Sequence, residues 1–390
     1  MIQLRPIEEQ VVVLMGASSG IGRQAAYQFA RRGAKVVASA RDEEGLFSLV
    51  EDIRRMGGDA TYWMADVADF DQVQQVAAHA VGTYGRIDTW VNLAAVSLYA
   101  TFEETTPAEF RQVIDVNLMG QVHGAKAALP HLRAAGGGAL ICISSVEGLR
   151  TLPYQSAYGA SKHGVIGFLE ALRLELRHEG TPISVTNIMP TSINTPFFNK
   201  ARTKLGVMPK GAPPLYSPRI VADAILYAAE HPVADLLVGD AARMMALMQR
   251  LSPRLVDWYL LATGFNSQRT QRPKPIGALD NLFGPLPGYD RVEGDFSRQT
   301  LPISLMDDLQ RNRTAQIVAW GLLLGAMAGI AIQRRRNGVR RFDWERQMQR
   351  ENARWDDDGN PNVYGSREAD IYHYGDVAHN DFAYGYSQGY

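Results

Sequence analysis

The chain has 390 residues, with 40 Lys and Arg against 41 Asp and Glu, so its formal net charge is −1. Nothing in this balance favours nucleic acid as a partner, because nucleic-acid-binding proteins concentrate basic charge on one face. The length allows one large α/β domain with extensions, or two domains. Cys142 is the single cysteine, which excludes an internal disulfide, and its apolar neighbours predict a core residue rather than a reactive thiol.

The N-terminal residues, M-I-Q-L-R-P-I-E-E, lack the basic and apolar regions of a signal peptide, so we expect the chain to start in the cytoplasm. A predicted strand, 11–15, then leads through a glycine-rich turn into a predicted helix, 20–32. Strand, glycine turn and helix together bind the diphosphate of a dinucleotide, although a turn without a ligand shows a similar pattern. The candidate cofactor residues of this turn are Gly16, Ser18, Ser19, Gly20, Ile21 and Gly22.

The second predicted strand, 35–39, is followed by Ala40 and Arg41. In dinucleotide sites an acidic residue at this point binds the ribose hydroxyls, and a basic one accommodates a 2′-phosphate. Arg41 therefore favours NADP over NAD, and the alternative is a solvated loop charge.

Strands and helices continue to alternate along the chain. We predict helices at 43–56, 70–84, 106–133, 157–177 and 218–229, and strands at 60–64, 87–93, 139–144, 183–188 and 236–238. This alternation predicts an α/β fold, a doubly wound, Rossmann-like parallel sheet of about seven strands with helices on both faces.

Several polar or small residues follow the predicted strands directly. Ligands of open parallel sheets bind at the carboxyl ends of strands, so these residues are expected to converge. The Asp66 carboxylate would either accept a hydrogen bond from the adenine amino group or cap the next helix, and both interpretations remain open. The strand-end candidates are Asp66, Val67, Asn92, Ala94, Ser145 and Pro190.

Tyr158 and Lys162 are four residues apart on one predicted helix, so they share a face. Hydride transfer to a carbonyl needs an acid that protonates the developing alkoxide. A nearby ammonium lowers the pKa of a tyrosine, which favours this role for Tyr158. The Ser145 hydroxyl would hold the substrate oxygen, and an asparagine can order a water that links the lysine to solvent.

Over residues 8–240 the sequence resembles the short-chain dehydrogenase/reductase family. The matching motifs are G-A-S-S-G-I-G (16–22), Asp66-Val67, N-L-A-A (92–95), Asn117, Ser145, Y-G-A-S-K (158–162), and Pro190 with Thr195. The resemblance implies that Asn117, Ser145, Tyr158 and Lys162 form a catalytic tetrad. It also implies that Asn92, Ala94, Pro190 and Thr195 lie near the cofactor, and that the enzyme forms a homo-oligomer.

Residues 195–217 follow the last of these motifs and contain four prolines. In the family this segment covers the substrate. Its apolar residues, which include Phe197 and Phe198, favour an apolar carbonyl or alcohol substrate, and the alternative is a surface loop with scattered apolar residues.

Beyond the catalytic domain, 1–240, the chain carries an extension. We predict a helical segment at 241–263, a Pro- and Gly-rich connector at 264–314, an apolar helix at 315–332, and a charged, then disordered tail at 333–390. The apolar helix has no formal charge and is short for a membrane span. The arginines that follow it would place its C-terminal side in the cytoplasm, against a simple single span. We expect a membrane-associated protein with a cytoplasmic catalytic domain; the alternative is a helix buried against that domain.

The sequence thus predicts an NADP-dependent oxidoreductase that acts on a carbonyl or secondary alcohol, with Tyr158 as the acid or base. One alternative is a non-catalytic dinucleotide-binding sensor or membrane-associated scaffold, which would not need the tetrad. Another is an enzyme that uses NAD. No metal site is expected.

Overall fold

The computed structural model describes residues 2–304 and 307. The chain divides into two units, Met1–Ile317 and Val318–Tyr390. The predicted apolar helix at 315–332 and the tail at 333–390 lie outside the described residues. Among the residues described, no helix is long and apolar enough to cross a membrane.

Seven parallel strands form the central sheet, in the spatial order β7-β6-β5-β4-β1-β2-β3. Their bounds are β1 Val11–Met15, β2 Lys35–Ala40, β3 Asp59–Met64, β4 Thr89–Asn92, β5 Gly138–Ile143, β6 Ile183–Pro190 and β7 Asp235–Val238. The strand order reverses between β1 and β4, which is the point where open sheets of this kind bind ligands. The predicted fold class is confirmed.

Ten α-helices accompany the sheet in the part of the chain that the structure describes. They are α1 Gly20–Arg31, α2 Glu43–Arg55, α3 Phe70–Tyr84, α4 Pro107–Ile114, α5 Gly120–Ala134, α6 Ser156–His178, α7 Phe197–Lys200, α8 Pro218–Glu230, α9 Asp240–Leu251 and α10 Pro253–Ser267. Successive residues of β1 point to opposite faces, so Val12 packs with α1, α2 and α8, whereas Val13 packs with α3, α5 and α6.

The predicted helix at 106–133 is interrupted. A capping box between Thr106 and Glu109 starts α4, as the sequence predicts, but a π-helical turn, Asp115–Met119, separates α4 from α5. Single π turns inside helices often occur at functional sites. Here the turn carries Asn117, whose side chain donates to Val96 O at 2.9 Å and accepts from Val96 N at 2.8 Å.

The chain after the sheet differs in part from the prediction. The predicted helical segment at 241–263 consists of two helices, α9 and α10, which meet at Ser252-Pro253, and residues 268–304 pack against the sheet domain instead of forming an extended connector. Strand Arg269–Pro273 pairs with Val207–Pro209, and Leu282 is fully buried. The Pro- and Gly-rich composition of this segment gave no indication that apolar residues such as Leu282 would be buried. We call residues 277–296 the C-terminal strap.

Candidate active site

A cavity of about 510 Å³ lies at the carboxyl ends of the sheet strands. Most of the predicted site residues line it, although they come from widely separated parts of the chain. These are Gly16, Ser18, Ser19, Gly20, Ile21, Gly22, Arg41, Asp66, Val67, Ala94, Ser145, Tyr158, Lys162, Pro190 and Thr195. Asn92 and Asn117 lie behind the wall instead.

The glycine turn leaves no room for side chains. Gly16 has φ +99°, and a Cβ there would lie 2.6 Å from Ala94 N. A Cβ on Gly22 would lie 2.2 Å from Gly16 O. Because no side chain covers the backbone at the N-terminus of α1, a diphosphate could approach its amide groups once Arg291 O, which accepts from Gly20 N at 2.9 Å, is displaced.

Arg41 lies at the far end of the same cavity, after β2. Its Nη1 is 3.5 Å from Asp66 Oδ2, and its Nη2 donates to Asn281 O of the C-terminal strap at 2.7 Å. Nη1 is buried and has no hydrogen-bond partner among the described residues. Asp66 does not cap α3, since Asp69 holds that position. The partly buried guanidinium is ion-paired with Asp66, but its Nη1 still has an N–H without a hydrogen bond, which fits a phosphate group.

Ser145 and Lys162 both lie close to Tyr158. The Ser145 hydroxyl donates to Pro190 O at 3.5 Å, and it is near enough to the Tyr158 hydroxyl to lower the pKa of that group. Lys162 Nζ lies 5.5 Å from the centre of the Tyr158 ring and donates to Ile143 O at 2.9 Å. Ser145 is fixed because its Oγ accepts from Glu147 N at 3.1 Å, in the short turn after β5. The three side chains that the sequence selected therefore meet at one point.

The expected lowering of the tyrosine pKa is not found in the protein alone. Burial, and then the charge of Glu147, raise the pKa of Tyr158 above its ordinary value. Burial also lowers the pKa of Lys162 to about 8. The Lys162 ammonium lies 5.5 Å from the centre of the Tyr158 ring, and in the protein alone burial dominates the pKa of the tyrosine.

Glu147 is a site residue that sequence reasoning missed. It is 8% exposed and lines the cavity two residues after Ser145. Its Oε1 accepts from Gln155 Nε2 at 3.1 Å, and burial raises its pKa to about 7. Gln155 also donates to Gln268, at the end of α10, at 2.8 Å. The only sequence signal was an acidic residue close behind the serine.

The two predicted residues outside the cavity wall have structural partners. Asn92 accepts from Trp90 Nε1 at 2.9 Å and is buried. Asn117 donates to Ser161 Oγ at 3.3 Å, on the helix that carries Lys162, in addition to its bonds to Val96. Asn117 therefore contacts the catalytic helix, and its place in a proton relay remains a prediction.

The substrate side of the cavity is mainly apolar. Phe197 of α7 faces Tyr158 edge-on, with 5.9 Å between ring centres. The extension completes the wall, because α9 and α10 contribute Met245, Tyr259 and Leu260. The segment after Thr195 is thus part of the site, as the sequence predicted, and so are helices beyond the sheet.

The glycine turn lies where the strand order reverses, and a serine, a tyrosine and a lysine line the same cavity. Together these features define an oxidoreductase site of the kind that uses a dinucleotide. Comparison with known proteins agrees with this class. A family model described as short chain dehydrogenase matches residues 10–206. The chain belongs to the short-chain dehydrogenase/reductase family, and it is an enzyme.

Relatives and solved structures extend the match beyond that range. The uncharacterized oxidoreductase YxnA of Bacillus subtilis (strain 168) is 40% identical over 274 residues, 70% of this chain and 77% of that protein. The 11-beta-hydroxysteroid dehydrogenase A of Arachis hypogaea is 32% identical over 295 residues, 71% of this chain and 83% of that protein. A short chain dehydrogenase from Mycobacterium paratuberculosis, crystallised with NAD, has a TM-score of 0.54 and 26% identity, covering 60% and 97% of the two chains.

Proposed function

We propose that the protein is an NADP-dependent oxidoreductase that interconverts an apolar ketone or aldehyde and the corresponding alcohol. The single observation that carries this proposal is the meeting of Ser145, Tyr158 and Lys162 at the cavity that also holds the glycine turn. The nicotinamide, when bound, supplies or accepts the hydride.

The residues of the chain would handle the proton and the substrate oxygen. In reduction, the Tyr158 hydroxyl gives its proton to the carbonyl oxygen as the alcohol forms, and in oxidation it takes the proton back. The Ser145 hydroxyl, already within hydrogen-bond reach of Tyr158, orients the same oxygen. Lys162 would hold the nicotinamide ribose, and Asn117 would complete the proton relay to solvent.

Arg41 supports NADP over NAD. Its Nη1 is buried without a hydrogen bond among the described residues, and the guanidinium lies after β2, where the adenosine ribose is expected. The remaining cofactor contacts that we propose are those of Asp66, Val67, Asn92, Ala94, Pro190 and Thr195. Purified protein should bind NADPH more tightly than NADH, and equal affinity in a titration of cofactor fluorescence would contradict this preference.

The proposed apolar substrate rests on the cavity wall near Tyr158. Phe197, Met245 and Leu260 line it, and Glu147 is an ionisable residue of the same lining whose charge raises the pKa of Tyr158. One relative, from Arachis hypogaea, is named as a hydroxysteroid dehydrogenase, which agrees with an apolar substrate. A panel of ketones of increasing size and polarity, assayed with NADPH, would establish the substrate class.

Tyr158→Phe tests the chemistry. Loss of the hydroxyl should reduce turnover by about 10²–10⁴-fold, since the proposed reaction takes its proton from this group. The dissociation constant for NADPH should stay within about twofold, because the ring and its packing against Phe197 remain. A variant that keeps full turnover would exclude Tyr158 as the acid and favour a binding protein without catalysis.

A further inference from the structure

Lys200 is a cation that neither the sequence motifs nor the proposed reaction uses. It is the last residue of α7, in the segment that follows Thr195. Lys200 Nζ donates to Ser19 Oγ at 2.7 Å, so the ammonium lies directly beside the glycine turn. It lines the same cavity as Arg41.

The positive charge of Lys200 is only partly balanced by the negative charges around it. Burial lowers its pKa to about 8, Asp42 opposes this effect, and Arg41 adds to it. Arg41 and Lys200 are therefore close enough to repel each other. Asp42 is already engaged as the N-cap of α2, where it accepts from Gly45 N at 3.2 Å. An anion placed between the two cations would be favoured.

One residue of the C-terminal strap, Asn281, bonds to both the backbone of Lys200 and the side chain of Arg41. Asn281 N donates to Lys200 O at 3.0 Å, and Asn281 O accepts from Arg41 Nη2 at 2.7 Å. Three segments far apart in sequence thus meet at the adenosine end of the cavity. Main-chain atoms of Asn281 thus hold the Lys200 backbone and the Arg41 guanidinium, while Ser19 Oγ holds the Lys200 ammonium.

We propose that Lys200 is a second ligand, together with Arg41, for the 2′-phosphate of the dinucleotide. The inference rests on the proposed NADP preference and adds a residue from the substrate segment to it. A 2′-phosphate carries nearly two negative charges and matches two cations, whereas the ribose diol of NAD has no charge to offer them. The electrostatic neighbours of Lys200, Arg41 and Asp42, both follow β2, where the 2′-position is expected.

The test compares ligands that differ only in the 2′-phosphate. Full-length wild type and Lys200→Met are titrated calorimetrically with NADPH, NADH, 2′,5′-ADP and 5′-ADP. We expect the dissociation constants of Lys200→Met for NADPH and 2′,5′-ADP to rise about tenfold, the effect of losing one charge-assisted hydrogen bond. Those for NADH and 5′-ADP should change by less than about twofold.

Two further variants at this position separate charge from packing. Lys200→Gln can still donate to Ser19 Oγ but lacks the charge, so it should behave like Lys200→Met even if the latter folds poorly. Lys200→Arg keeps the charge and should retain most of the discrimination. Lys126→Met removes an exposed lysine on α5, outside the cavity wall, and should bind all four ligands like the wild type.

The outcomes distinguish this inference from the proposed function. If the variants lose affinity equally for ligands with and without the 2′-phosphate, Lys200 serves the diphosphate, and the inference is overturned. If wild type prefers NADPH and the Lys200 variants keep that preference, only the role of Lys200 fails. If wild type binds NADH as tightly as NADPH, the proposed NADP preference fails, and the inference fails with it.

Discussion

Glu147 is a buried carboxyl group whose charge interacts with Tyr158 and Lys162. Its pKa is raised from 4.5 to about 7, mainly by burial. Between these two values the folded protein binds more protons than the unfolded chain. The contribution of Glu147 to the free energy of unfolding therefore falls as the pH rises from 4.5 to 7.

Glu147→Gln should remove this pH dependence. Relative to wild type, the free energy of unfolding of the variant should increase from pH 4.5 to 7, by on the order of 3 kcal/mol. Denaturant unfolding at several pH values measures it. Because the Glu147 charge raises the pKa of Tyr158, alcohol oxidation by the variant should also begin to rise at a lower pH.

Glu109→Gln is the matched control. Burial opposes ionisation of Glu109, but hydrogen bonds from Lys204 and Thr106 lower its pKa to about 2. Its stabilising contribution is complete above pH 4.5 and is lost only as the pH falls towards 2. The control should therefore differ from wild type by a constant amount from pH 4.5 to 7. A parallel rise in both variants would refute the assignment to Glu147.

Individual site residues differed in how well they could be predicted. Ser145, Tyr158 and Lys162 could be found because parallel strands end at one edge and a spacing of four places two side chains on one helix face. Lys200 could not be predicted, because its partner Ser19 is 181 residues away in the sequence. The short helix α7 that carries it also has no recognisable sequence pattern. Glu147 resembles an ordinary loop charge until its burial is known.

At the scale of the element, the turn between β1 and α1 makes a prediction about backbone packing. Gly22→Ala would place a Cβ 2.2 Å from Gly16 O. The turn must open, which should cost about 1–3 kcal/mol of folding stability and weaken NADPH binding. Thermal unfolding and cofactor titration measure the two effects.

Gly82→Ala provides the comparison within a helix. Gly82 lies inside α3, and a Cβ there would meet no atom of the described residues within 4 Å. This change should stabilise the protein by about 0.5–1 kcal/mol, since alanine is the better helix former. If Gly22→Ala were as well tolerated as Gly82→Ala, the close contact in the turn would not exist.

The regular elements followed from the sequence, whereas two irregular ones did not. Apolar runs and helix periodicity predicted each sheet strand and most helix bounds within a few residues. The apolar periodicity of the sequence continues through the π turn at Asp115–Met119, so the turn could not be predicted. The packing of residues 268–304 depends on contacts with Val207–Pro209 and other distant segments, which a local pattern does not contain.

For the whole molecule, we propose membrane association through the apolar segment 315–332, with the catalytic domain in the cytoplasm. Full-length protein should sediment with membranes in low salt, and so should a chain that ends at residue 332. A chain that ends at residue 314 should remain in the supernatant. Recovery of the full-length protein wholly in the supernatant would reject the proposal. Assembly into a homo-oligomer likewise stays a prediction, which sedimentation velocity would check.

The C-terminal strap also makes the cofactor compete with the protein's own backbone. Gly20 N, at the start of α1, already donates to Arg291 O at 2.9 Å, and the diphosphate needs that same N–H. If the strap must move aside for the cofactor to bind, the apparent affinity would equal the intrinsic affinity multiplied by the fraction of molecules in which it has moved. Changes that loosen the strap at Arg291, while leaving Asn281 in place, are therefore expected to tighten cofactor binding rather than weaken it.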